Sequence, residues 1–90
     1  MNRSLDELRV RASGVFQLGG ELRKKLIAFA VNQSPTGAYQ LAQAMLINHG
    51  FVAKEAEAYA KSVRWLAVIR RDYDQTEFDS TVMVGIAPTE

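Results

Sequence analysis

Cysteine is missing from this 90-residue chain, and histidine occurs once, as His49. Without thiols there is no disulfide, no thiolate-ligated metal and no Cys–His nucleophile pair. The lack also suits a reducing compartment. Long apolar runs are missing too, since none approaches the roughly 18 residues that a membrane span needs. The opening MNRSLDELRVR is too charged to read as a secretory signal. The expected setting is therefore the cytoplasm, with no membrane as partner.

Lysine and arginine are absent beyond Arg71. Residues 1–71 hold all eleven of them against five Asp and Glu, a balance of +6, whereas residues 72–90 hold the other five acids, a balance of −5. The net charge of +1 thus hides a basic body joined to an acidic end. A hydrophobic fraction of 48% and a charged fraction of 23% belong to a folded globular chain, not a disordered one. Ninety residues make one domain, burying about 60–65% of the surface its unfolded form exposes. Within it, residues 1–20 read as an N-terminal helix and connector, and residues 21–87 as the core.

What is present is mostly helix punctuation. SLDELRVRA carries a capping box, Ser4 with Glu7, ahead of apolar residues spaced for a short helix over about 5–12. Ser13-Gly14 and Gly19-Gly20 break the chain on either side of VFQL. In ELRKKLIAFAVNQ, Leu22, Leu26 and Phe29 form one stripe with Ile27 and Val31 to its side, which predicts a central helix. Ser34 and Pro35 start a third helix, Ala38, Leu41, Ala42 and Met45 give it a buried face, and Gly50 ends it. A fourth helix is predicted over about 52–66, with Val52, Ala56, Tyr59, Val63 and Leu66 inward and Lys54, Glu57, Lys61 and Arg64 outward. Beyond it, AVIRRDYD and STVMVGIA are rich in β-branched residues and read as two strands joined by a polar turn.

Catalytic chemistry has little to stand on. His49 sits beside Gly50 at a helix end, where an imidazole can bond the last carbonyls. No P-loop, nucleophile elbow or dinucleotide fingerprint occurs. The acidic run DYDQTEFDS fails as a calcium loop: with Asp72 as position 1, position 6 is Glu77 instead of glycine and position 12 is Met83 instead of glutamate. No catalytic residue, metal ligand or cofactor is expected, and the chain does not read as an enzyme.

TGAYQLAQAM, a further helix and then VRWLAVIRRD, in that order and followed by strand-like runs, resemble the winged helix-turn-helix superfamily over residues 21–87. The resemblance implies a mainly α fold with three core helices, a short N-terminal helix and a C-terminal β-hairpin as wing. It implies a small regulator or accessory factor that binds duplex DNA, alone or as a homodimer. The fourth helix would enter the major groove with Lys54, Lys61 and Arg64, while Arg70, Arg71 and Lys24 or Lys25 would meet phosphates. Departures are present. Glu55 and Glu57 would also face phosphates, no Asn or Gln stands on the outward face to read adenine, and the wing tip carries Asp72, Asp74, Glu77 and Asp79.

An acidic wing repels DNA, so a second reading stays open: an adaptor, or an inhibitor of a nucleic-acid-handling complex. Its acidic segment would meet a protein partner with a basic surface. Trp65, about 140° from the apolar stripe by helical phase, would anchor the contact unless it packs beneath the hairpin or the first helix.

Overall fold

Helix signals dominate the sequence, and helices are the only regular structure among residues 4–86, which the computed structural model describes. They are α1 (Leu5–Arg11), a 3-10 helix (Ser13–Gln17), α2 (Gly20–Asn32), α3 (Pro35–Asn48), α4 (Ala53–Asp72) and α5 (Gln75–Ile86). The expected caps form. The Ser4 hydroxyl accepts from the Glu7 N–H at 3.2 Å, and the Ser34 hydroxyl accepts from the Gly37 N–H at 3.2 Å with Pro35 in the first turn. Gly50, at φ +94°, closes α3. Its N–H bonds to the Ile47 carbonyl, and the Phe51 N–H bonds back to Leu46, the paired reversal that a left-handed residue permits. Phe51 then meets the Tyr59 ring edge-on at 5.8 Å.

The winged-helix expectation is overturned, because neither expected strand forms. α4 does not stop near Leu66 but runs to Asp72, absorbing AVIRRD. Leu66, Ala67 and Ile69 are buried and extend the line of Ala56, Ala60 and Val63 at spacings of three and four. Helical period therefore persisted through the segment whose β-branched residues suggested a strand, and burial of that apolar line outweighed the local preference. α4 packs against α1, the 3-10 helix, α2, α3 and α5, so it is the axis of the molecule.

Only Tyr73 and Asp74 separate α4 from α5. The Asp74 carboxylate accepts from the Glu77 N–H at 2.9 Å, and its carbonyl accepts from the Phe78 N–H at 3.1 Å. The supposed wing tip is thus a helix N-terminus, and TVMVGI is helical. Ala87, the last residue of the expected second strand, lies outside the described residues.

The core is built from large aliphatic residues, among them Leu26, Leu46, Leu66 and Ile69, set between fully buried alanines such as Ala38, Ala42, Ala56 and Ala60. Small side chains on both α3 and α4 let these two helices share the most extensive helix–helix contact. Two details differ from the expected faces. Leu46, not Leu41, completes the buried line of α3, and Leu41 is 41% exposed. Val52 is the exposed cap residue of α4 instead of its first inward residue.

α1 belongs to the core through Leu8 and Ala12. It also reaches α5: the Arg9 Nε donates to the Thr81 hydroxyl at 2.9 Å, and that hydroxyl donates to the Glu77 carbonyl at 2.8 Å. Among the described residues no helix is long and apolar enough to cross a membrane.

Candidate functional site

The exposed ridge of α4 lies between α1 and α3. Lys54 and Lys61 stand on it seven residues apart, both exposed. Arg64 and Arg71 follow, again seven apart, on the edge toward α3. Only a ridge is free because neighbouring helices cover both flanks.

Arg64 is half-buried. Its guanidinium carbon lies 5.2 Å from the centroid of Tyr39 on α3 and 5.7 Å from that of Trp65. Arg11 of α1 lies 5.3 Å from the same Trp65 ring. Tyr39, Arg64, Trp65 and Arg11 therefore form an alternation of rings and guanidiniums across three helices, each contact attractive through the ring quadrupole. Trp65 is half-buried on the core, with the first helix beside it instead of a hairpin. Neither Tyr39 nor Arg11 was legible as a partner, since they reach α4 from other helices.

Charge pairing divides the two classes of residue singled out in the sequence. Lys24, Lys25, Lys54, Lys61, Arg64 and Arg70 have no carboxylate partner among the described residues. The acids, in contrast, are engaged within the molecule. Asp72 accepts two bonds from Arg71, at 2.7 and 2.9 Å. That hydrogen bonding holds the Asp72 carboxyl below its ordinary value, although slight desolvation works the other way. Asp74 caps α5, Glu77 lies 3.8 Å from Arg9, and Asp79 accepts from the Gln75 amide at 2.8 Å. Carboxylates at the start of α5 also suit the positive end of its dipole. Asp72 is thus engaged by Arg71 of α4 and Glu77 by Arg9 of α1, while Asp74 starts α5. The signal for this was in the sequence: Asp74-Gln75-Thr76-Glu77 has the spacing of a capping box.

The expected site residues do not all come together. Lys24 and Lys25 are exposed on α2, a different helix from the α4 ridge. Arg70 points toward a different part of the surface from Arg64, with its guanidinium carbon 5.9 Å from the Phe78 ring centroid. With Arg71 it borders an open cleft of about 520 Å³ where α2 passes into α3. His49 is exposed at the end of α3, where its backbone N–H closes the last turn. Among the described residues no three His, Asp or Glu side chains gather as a metal site. Compared with family models, curated proteins and solved structures, the chain gives no match.

Proposed function

We propose that this five-helix protein binds duplex DNA in the cytoplasm by docking the α4 ridge on the phosphate backbone, as a non-enzymatic regulator or accessory factor. The observation that carries the reading is Arg64. It is held between the Tyr39 and Trp65 rings with no carboxylate among the described residues to neutralise it, in line with exposed Lys61 and Lys54. An arginine ordered on aromatic faces loses less freedom when it meets a phosphate. A ridge flanked by two helices suits phosphate contact better than insertion into the major groove. Binding is therefore expected to depend weakly on sequence and strongly on salt. Glu57 stands on the same face and limits the affinity.

The adaptor reading has less support. Asp72, Asp74, Glu77 and Asp79 already have partners within the chain, and Trp65 is partly covered.

Fluorescence anisotropy of a labelled mixed-sequence duplex at about 50 and 200 mM salt tests the proposal. Neutralising about four phosphates gives a log–log slope near −3.6, a loss of roughly a hundredfold. Replacing Lys61 and Arg64 together by Gln should remove most of the affinity. No binding at the lower salt, or an unchanged double variant, overturns the reading and leaves capture of a protein partner as the next step.

A further inference from the structure

Trp65 holds two cations, and one of them comes from outside the α4 ridge. The guanidinium carbon of Arg11, on α1, lies 5.3 Å from the indole centroid, and that of Arg64 lies 5.7 Å from it. The sum of those distances, about 11 Å, is the farthest apart the two can stand, close to one Debye length at about 0.1 M salt. An anion between them is therefore attracted by both. Lys61 is three residues before Arg64 and four before Trp65, so it neighbours both on the helix surface.

Counter-charge is scarce around this ring. Arg64 and Lys61 have no ion pair among the described residues, and neither has Glu57, a turn before Lys61. Glu7 engages Arg11 at Nε, 3.3 Å away, and no hydrogen bond among the described residues occupies the two terminal nitrogens of Arg11. That pair is exposed and spaced i,i+4, a weak kind of ion pair that a more highly charged surface displaces. A guanidinium with open terminal nitrogens matches the oxygens of a phosphate.

We infer that Arg11 is a second phosphate ligand of the duplex interface, set beside Arg64 by the shared Trp65 ring, and that Glu7 competes with phosphate for it. The inference rests on the DNA-docking reading and extends the contact surface from α4 onto α1. At about 3.4 Å of helix axis per nucleotide, two guanidiniums within about 11 Å of each other reach phosphates up to about three nucleotides apart on one strand. Trp65 acts as a positioning residue, through the two arginines.

The test is a set of duplex titrations at several salt concentrations with the parent chain, Arg11→Gln, Glu7→Gln and the variant carrying both changes. Arg11→Gln should weaken binding about tenfold at about 50 mM salt and flatten the log–log slope by about 0.9, the value of one phosphate. Glu7→Gln leaves the backbone N–H that Ser4 caps in place. It should tighten binding about threefold, the worth of an exposed ion pair. The same change in the Arg11→Gln chain should gain clearly less, because the group for which Glu7 competes is gone. A purely structural role for α1 would give neither the flatter slope nor effects of opposite sign. Parent affinity and parent slope in Arg11→Gln overturn the inference; if Lys61→Gln with Arg64→Gln still removes binding, the ridge reading stands without α1. A Glu7→Gln gain of equal size without Arg11 overturns the competition. No binding by the parent chain at the lower salt overturns the ridge reading and this inference with it.

Discussion

Asp74 shows how much one short side chain decides in this protein. Its carboxylate occupies the Glu77 N–H and starts α5 two residues after α4 ends. Tyr73 and Phe78 stand at the positions of a hydrophobic staple around it; Phe78 is in the core and Tyr73 packs against it. Asp74→Ala should cost about 1 kcal/mol in urea denaturation, while Asp74→Asn should cost less, because the amide oxygen still caps. Asp72 makes the corresponding point about titration. Its folded pKa is depressed by Arg71, so its contribution to stability is present above the unfolded value of about 3.9 and disappears as pH falls through the folded value. Both partners are exposed, so the stability involved is small. Carbonyl NMR should nevertheless show Asp72 protonating at lower pH in the parent chain than in Arg71→Gln; coincident titrations would sever the pair.

Among the elements, α5 depends on one close approach. A β-carbon on Gly85 would lie 2.2 Å from the nearest carbon of the Phe16 ring, so the helix rests against the 3-10 segment only because that position has no side chain. Alanine normally favours a helix by about 1 kcal/mol over glycine. Here Gly85→Ala should instead destabilise, by about 1–3 kcal/mol as an overpacked site does. Combining it with Phe16→Leu should recover part of the loss, and a thermal scan of the four proteins in that cycle decides the matter. α4 carries the opposite lesson. Val68 lies mid-helix in the stretch that read as a strand, and Val68→Pro should unfold the protein, with loss of the far-UV helical signal. A chain that kept its ellipticity would contradict a continuous α4.

At the scale of the whole molecule, the basic and acidic portions of the sequence are folded against each other. Arg9 near the N-terminus meets Thr81 and Glu77 near the other end, while Leu8 and Phe78 are both buried in one core. The radius of gyration of 12.2 Å is about that of a single compact domain of this length. The two ends should therefore melt together. Leu8→Ala, which opens a cavity beneath α1, should lower stability by about 2–4 kcal/mol and shift one cooperative transition monitored at Trp65 and by helical signal alike. Separate transitions for the two probes would mean that α1 unfolds by itself.

The sequence by itself determined where helices begin and end wherever a cap or a glycine does the work locally: Ser4 with Glu7, Ser34 with Pro35, and Gly50 all act on backbone groups within a few residues. It also contained the Asp74-x-x-Glu77 cap and the continued period from Ala56 to Ile69, both masked by the β-branched residues around them. Tertiary structure decided that AVIRRD is helical, since burial of α4 among five neighbours outweighs a local preference worth at most about 1 kcal/mol. It alone set Arg64 and Arg11 on aromatic rings from other helices, and it alone brought Gln33 and Ser34 to Arg70 and Arg71. Those contacts join residues distant in the chain, and their geometry follows from how the helices cross, which no spacing along one helix encodes.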